Sequence, residues 1–212
     1  HLGTLTRSYL ARADVALNEV QSLHKKEQYA ASEEKLKDVE VNLAKAQKAI
    51  APVVSRYKDT NQIAKWKRWA TETVEESREE GITSILIIKA NKKLLLYKNG
   101  SLSKSYPVGL GHNGWSDKLR AKDKATPEGK YKIISKNSAS RYHRALLINY
   151  PNEEDRREFQ RAKKRGLLPQ SAGIGGSIEI HGGGDEGLTY GCISLDNHQI
   201  EELYHAVDLG TP

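Results

Sequence analysis

The distribution of glycine divides this chain into two parts that must fold in different ways. Of the 17 glycines, all but one lie at or after position 81, and none occurs between positions 4 and 80. Glycine weakens helices because it loses more backbone freedom on folding than other residues, so a long glycine-free stretch favours helix. A glycine-rich remainder favours strands joined by tight turns. The sequence therefore predicts an α+β chain, with a helical N-terminal module at 1–80 and a mostly β domain at 81–212.

Apolar residues at helical spacing predict three helices in the first part, at about 5–25, 28–50 and 60–79. Pro52 is expected to end or kink the second helix, because proline has no backbone N–H and its ring obstructs the preceding turn. The alanine-rich start of this helix at Tyr29 hints at a tetratricopeptide-type helical hairpin, of which only one unit is visible. Charges of both signs alternate along these helices, which favours a solvated bundle over a nucleic-acid-binding surface.

Turn signals divide the second part into short elements. Asn99–Gly100 lies between two apolar runs and is a strong signal for a β-hairpin. Strands are predicted at Thr83–Lys89, Lys93–Lys98, Ser101–Val108, Lys130–Ile134, Ala145–Tyr150 and Ser177–His181. Two helices are predicted after them, at about 152–165 and 197–207, with Asn152 and Asn197 as their N-terminal caps.

Composition excludes several classes of protein. Hydrophobic residues make up 37% of the chain, which is enough for a buried core, and no apolar run is long enough to span a bilayer. The chain has no methionine, even at position 1, and no signal peptide, so we expect a trimmed piece of a longer gene product whose export segment is missing. Its single cysteine excludes an internal disulfide framework and a multi-cysteine zinc site.

The single cysteine lies in the segment with the clearest chemical signal. Cys192 follows Gly191, and His181 ends a predicted strand eleven residues earlier. A thiol attacks carbonyl groups as thiolate, and a nearby imidazole can take its proton and return it to a leaving amine. The glycines before the cysteine allow a sharp turn, and those after the histidine leave room for a substrate. The alternative is a buried Cys192 and a surface His181 on a glycine loop.

Six motifs occur in a fixed order along residues 82–212. They are Ser105–Gly111, Ala125–Tyr131, Ala145–Asn152, Ile180–Gly182, Thr189–Leu195 and Gly210–Pro212. Together they resemble the catalytic domain of the L,D-transpeptidase (YkuD-type) family, cysteine enzymes that remodel peptidoglycan. The resemblance implies a sandwich-like β domain in which Cys192 is the nucleophile and His181 the base. It also implies that a carbonyl at Gly182 or Gly183 orients the imidazole, and that the amides of Gly191 and Cys192 form the oxyanion hole.

The chain departs from the family pattern beside the cysteine. Tyr190 follows Thr189 where the family usually has a second histidine, and Ser194 stands where an arginine is common. Other residues are then needed to bind a substrate carboxylate. Arg141 and Arg144 are the candidates for this positive charge, with surface solubility as an equal alternative. His143, next to Arg144, is expected to support the site or face the substrate, as are Thr189 and Tyr190.

The function that the resemblance implies is acyl transfer in peptidoglycan, with a role in cell-wall biogenesis and cell shape. The thiolate attacks the amide between the third, L-centred residue of a stem peptide and D-alanine, forms a thioester, and passes the acyl group to an amine. Two alternatives remain open, an L,D-carboxypeptidase or trimming hydrolase with the same cysteine and histidine, and a non-catalytic wall-binding module with a decayed site.

The expected partners and location follow from the same resemblance. We expect no metal and no cofactor, and we expect peptidoglycan stem peptides as substrates. The helical module is a possible site for a protein partner, while no nucleic acid and no membrane-spanning segment are expected. The protein is expected to be periplasmic or associated with the cell wall.

Overall fold

A computed structural model describes residues 2–185 and 187–212, with side chains from Leu5 onward. The chain forms two compact units, residues 1–62 and 63–212. A helical N-terminal region is followed by a β-rich region, which confirms the predicted fold class. In the described part of the chain, no helix is both long and apolar enough to cross a membrane.

Three helices occupy the N-terminal region, as predicted. They are α1 (Leu2–Lys25), α2 (Tyr29–Lys58) and α3 (Thr60–Glu79). The first two form an antiparallel hairpin around a small set of buried residues that includes Ala13, Ala16 and Val39. The prediction that α2 ends near residue 50 is wrong, because the helix continues past Pro52 for six residues. Proline keeps a helical φ angle and removes only one hydrogen bond, so neighbouring turns can continue the helix.

The β-rich unit contains two sheets. The first has three antiparallel strands in the order β1 (Thr83–Ile88), β2 (Lys93–Lys98) and β3 (Ser101–Pro107). The second has the order β4 (Ile133–Ser140), β5 (His143–Ile148), β6 (Glu179–His181) and β7 (Ile193–Ser194), and its last pair is parallel. Helices α4 (Glu153–Lys164) and α5 (Asn197–Ala206) follow β5 and β7.

One hydrophobic core joins the two sheets and the last helix. Leu94 and Leu96 come from β2, while Leu146, Ile180 and Ile193 come from β5, β6 and β7. Ile200 and Leu203 of α5 complete the same cluster. Because both sheets and α5 contribute side chains to this one cluster, the unit is sandwich-like, as predicted.

Two local predictions are wrong. The strand expected at Lys130–Ile134 instead covers Ile133–Ser140, an edge strand whose largely exposed polar residues give little hydrophobic signal. The cap of α5 is Asp196, whose carboxylate accepts the N–H of His198 at 2.9 Å, rather than Asn197. The predicted cap of α4 is confirmed, because the Asn152 side chain accepts the N–H groups of Glu154 and Asp155.

Most of α3 belongs to the β-rich unit. The Ser77 hydroxyl donates to the carbonyl of Ile82 at 2.6 Å and accepts the N–H of Gly100 at 3.0 Å. Lys65 forms an ion pair with Glu154 of α4 at 3.0 Å. The compact unit therefore begins before the change in glycine content at position 81.

Candidate active site

The parallel pairing of β6 and β7 places the predicted base at the end of β6 and the predicted nucleophile directly before β7. Ile180 is the register partner of Ile193, and both side chains lie in the core. Side chains alternate between the two faces of a strand, so the neighbours of these isoleucines point to the opposite face. His181 lies on this opposite face at the end of β6, and Cys192 directly precedes β7. His181 is buried and Cys192 is partly exposed.

The imidazole of His181 is held from two sides. Its Nδ1 lies 2.6 Å from the carbonyl oxygen of Gly182. A carbonyl can only accept, so Nδ1 is the donor in this contact, and in the neutral tautomer that it selects Nε2 is the nitrogen that can accept a proton. The ring of Tyr142 stacks on the imidazole, with centroids 4.4 Å apart and planes 22° apart. The guanidinium of Arg141 packs on the ring of Tyr142 at 4.6 Å.

The turn after His181 requires glycine. A Cβ at Gly182 would lie 2.5 Å from the carbonyl oxygen of Tyr142 and 2.7 Å from Oδ1 of Asn197. The next residue, Gly183, has a φ of +99° and donates its N–H to Oδ1 of Asn197 at 2.9 Å. Asn197, the first residue of α5, therefore anchors the loop that carries the carbonyl partner of His181.

The thiol of Cys192 has a raised pKa. Burial is the main cause, and the negative charge of Glu179 acts in the same direction. The backbone N–H of Glu179 and the positive charges of Lys118 and Arg141 oppose the rise. The Sγ atom contacts the carbonyl oxygen of Ser177 at 3.8 Å. A thiol of this kind is protonated at neutral pH, so attack on a carbonyl requires a neighbouring base.

The turn before Cys192 is closed by Thr189. Its hydroxyl donates to the carbonyl of Cys192 at 2.6 Å and accepts the N–H of Gly191 at 3.1 Å. A Cβ at Gly191 would lie 2.7 Å from the carbonyl oxygen of Ala125, and its φ is +132°, so this position also requires glycine. The backbone N–H of Gly191, one of the two predicted oxyanion donors, is thus already hydrogen-bonded to Thr189 within the turn.

The remaining predicted residues lie at the edges of this face. Tyr190 is 73% exposed, with its ring 5.8 Å from that of His112 and 5.1 Å from the ammonium of Lys124. Ser194, the register partner of His181, is buried.

Arg144 and His143 are both engaged by one carboxylate on α5. Arg144 binds Glu201 through Nε at 2.6 Å and Nη2 at 2.8 Å. His143 Nε2 lies 3.0 Å from the same carboxylate. These hydrogen bonds lower the pKa of Glu201 to about 2, and the bond from Arg144 has the largest effect. Within residues 2–185 and 187–212, Arg144 forms an ion pair and Arg141 forms none.

Tyr142, Asn197 and Glu179 are site residues that sequence reasoning did not identify. Tyr142 and Asn197 act through His181 and Gly183, and nothing in their spacing indicates those contacts. For Glu179, the alternation of side chains along the predicted strand that ends at His181 was an available signal, because residues two apart lie on the same face. As for metals, the described residues contain no group of three or more histidine, cysteine or acidic side chains that could hold an ion.

Comparison with known proteins adds a family to this geometry. A search of curated proteins found no match. Among solved structures, Bd1075 of Bdellovibrio bacteriovorus is 23% identical, with a TM-score of 0.45 over 63% of this chain and 47% of that one. L,D-transpeptidase 1 of Mycobacterium tuberculosis is 14% identical, with a TM-score of 0.40 over 62% and 59%. The Enterococcus faecium L,D-transpeptidase C442S mutant is 16% identical, with a TM-score of 0.40 over 62% and 48%.

The chain therefore spans less than two thirds of the length of each of these structures. The family model of the L,D-transpeptidase catalytic domain, in contrast, matches residues 82–212, which is more than half of this chain. The motifs that carried the resemblance all fall within that range. By this match, the chain belongs to the L,D-transpeptidase (YkuD) catalytic domain family.

Proposed function

We propose that this protein is a peptidoglycan L,D-transpeptidase that uses Cys192 as nucleophile and His181 as base. The observation that carries the proposal is the arrangement at β6 and β7, where the imidazole at the end of β6 is fixed by the Gly182 carbonyl and Cys192 directly precedes the paired strand β7. Family membership supports a role in peptidoglycan acyl transfer in general.

The first half of the reaction forms a thioester. Nε2 of His181 takes the proton of the Cys192 thiol, and Sγ attacks the carbonyl carbon between the third stem residue and D-alanine. The carbon–nitrogen bond breaks, and the imidazolium gives its proton to the amine of the departing D-alanine. Arg141 is the proposed partner of a substrate carboxylate.

By resemblance to the family, the backbone amides of Gly191 and Cys192 stabilise the tetrahedral oxyanion. Backbone N–H groups aimed at a developing negative charge contribute strongly to acyl transfer. The N–H of Gly191 donates to Thr189 in the absence of substrate, so it must share or exchange this bond for an oxyanion.

The second half transfers the acyl group to an amine. The amine nitrogen attacks the thioester carbon, its proton passes through His181 to Sγ, and the carbon–sulfur bond breaks. The result is an amide cross-link and a regenerated thiol. The residues after position 80 carry almost all of the net charge of +7, which suits an acidic wall polymer and action in the periplasm or at the cell wall.

The test is incubation of the protein with peptidoglycan, followed by digestion and mass spectrometry of the fragments. Wild-type protein is expected to give cross-linked dimers and Cys192→Ala to give none, with a thioester adduct on the intact wild-type protein. Shortened tripeptides without dimers would indicate the hydrolase instead. No adduct and no change in fragments would indicate a non-catalytic wall-binding module.

A further inference from the structure

Glu179 lies beside the candidate nucleophile and has no partner among the residues that the structure describes. The register of β6 and β7 pairs Ile180 with Ile193, Glu179 and Cys192 directly precede these two residues, and the backbone N–H of Glu179 is hydrogen-bonded to the Cys192 thiol. The side chain of Glu179, like that of His181, points away from the core face of β6. Glu179 is half-buried, and within the described part of the chain its carboxylate has no ion pair and no hydrogen bond.

An unpaired carboxylate in this position works against the nucleophile. The negative charge of Glu179 next to the Cys192 thiol opposes formation of the thiolate. The sheet does not need an acid at this position, because the core side of β6 is supplied by Ile180. A charge that disfavours the free nucleophile is explained if it binds a cation during the reaction.

We propose that Glu179 binds the ammonium group of the amine acceptor that resolves the thioester. This inference rests on the proposed function. The acceptor in that function is a primary amine that is cationic at neutral pH, as on the side chain of a second stem peptide, and the inference assigns the residue that binds it. Charge-assisted hydrogen bonds between ammonium and carboxylate are among the strong ones in proteins.

The donor stem peptide and the amine acceptor are then distinguished by their charge. The departing D-alanine carries a carboxylate, which Glu179 repels and Arg141 attracts, so the donor is excluded from the acceptor position. The acceptor arrives as ammonium at Glu179 and loses one proton to bulk water. The neutral amine attacks the thioester carbon, and its second proton passes through His181 to Sγ.

Water competes with the amine for the thioester but carries no charge. Glu179 therefore raises the local concentration of amine and does nothing for water. On this account Glu179 is a specificity-determining residue that favours transfer over hydrolysis.

The first experiment measures binding without turnover. Cys192→Ala protein is titrated calorimetrically with a stem tripeptide that has a free side-chain amine, and with the same tripeptide N-acetylated on that amine. The amine form is expected to bind about tenfold more tightly, which corresponds to roughly 1.4 kcal/mol. In the Cys192→Ala protein, the further substitution Glu179→Gln is expected to remove most of this preference for the amine form. The further substitution Glu179→Asp is expected to retain part of it.

Glu153→Gln, an exposed acid on α4, is the matched control and is expected to leave the preference unchanged. Thermal melts of all variants identify any loss of folding, and Glu179→Asp keeps the test decisive if Glu179→Gln unfolds. An equal affinity for the amine and acetylated forms in Cys192→Ala protein, or the same preference with and without Glu179, would overturn the inference.

The second experiment measures turnover with otherwise wild-type protein. Glu179→Gln is expected to form the thioester at least as fast as wild type, because removal of the negative charge favours the thiolate, while the ratio of dimer to tripeptide falls. These opposite changes would not result from a general structural defect. An unchanged ratio of dimer to tripeptide would overturn the inference about Glu179 and leave the proposed function intact. A wild-type protein that forms no thioester would instead refute the proposed function, and the binding experiment would then decide the role of Glu179.

Discussion

At the scale of single residues, Cys192 illustrates how position sets chemistry. Cys192 directly precedes β7, and burial together with the charge of Glu179 holds the pKa of its thiol above the ordinary value. The imidazole of His181 has its Nδ1 fixed by the Gly182 carbonyl. In the proposed function the thiol therefore starts the reaction protonated and needs a base for attack, rather than acting as a preformed thiolate.

The alkylation of Cys192 by iodoacetamide is expected to depend on pH in the way that a raised pKa requires. Thiolate is the reactive form, so the rate at neutral pH is expected to be lower than for free cysteine and to keep rising as pH passes the pKa of the free amino acid. Rates measured from pH 6 to 11, with free cysteine as the reference at each pH, check this. A rate that is already constant below pH 7 would contradict it.

Gly182→Ala is expected to abolish most activity. The new Cβ would meet the Tyr142 carbonyl oxygen at 2.5 Å, so the loop that orients His181 must shift, at a cost of about 1–3 kcal/mol in the free energy of unfolding. Gly173→Ala is the control, because a Cβ there meets nothing within 4 Å. The rate of thioester formation and the free energy of unfolding from chemical denaturation are measured for both variants. Equal values for the two variants would show that the close approach of Gly182 to the Tyr142 carbonyl does not matter.

At the scale of elements, α5 supports the site from outside it. Its first residue, Asn197, holds the Gly183 loop, and Glu201 one turn later binds Arg144 and His143 at the start of β5. The helix also contributes Ile200 to the core. The orientation of His181 therefore depends on where α5 begins.

Asp196→Ala is expected to lower both stability and activity, since Asp196 caps α5. Loss of an N-cap costs about 1 kcal/mol, and fraying of the first turn releases Asn197 from Gly183. Asn152→Ala removes the cap of α4 at a similar cost and is expected to leave the rate of thioester formation nearly unchanged once folded. Denaturant unfolding and acylation rates of the two variants separate stability from activity, and equal losses of rate would contradict this role of α5.

At the scale of the whole molecule, the compact β-rich unit and the matched family domain begin at different residues. The family match starts at residue 82, while the compact unit starts at Ile63. The difference is α3, whose fully buried Ser77 is hydrogen-bonded to the first β-hairpin. Lys130 adds an ion pair to Glu72 of the same helix at 3.4 Å.

A fragment of residues 63–212 is expected to fold and form the thioester like the full chain, while a fragment of residues 82–212 is expected to melt at least about 5 °C lower. The shorter fragment leaves the N–H of Gly100 and the carbonyl of Ile82 without their partner in Ser77. Calorimetric melting of both fragments checks this. Equal melting temperatures would show that α3 is dispensable for the catalytic domain.

The sequence by itself determined the fold class, the three helices and the hairpin at Asn99–Gly100, because periodicity and turn chemistry are local signals. It also indicated Cys192 and His181 as the candidate nucleophile and base, which stays a prediction. The start of β4 was missed because it depends on pairing with β5. The end of α2 and the cap of α5 were missed although their signals are local, since a helix can continue past a proline and Asp196 stands directly before the predicted cap Asn197. Only the tertiary structure decided which side chains surround the site. The stacking of Tyr142 on His181 and the capture of Arg144 by Glu201 join residues brought together by strand register and helix packing, which no local pattern encodes. For Glu179, strand alternation was a local signal of its face, but only the tertiary structure placed it beside Cys192.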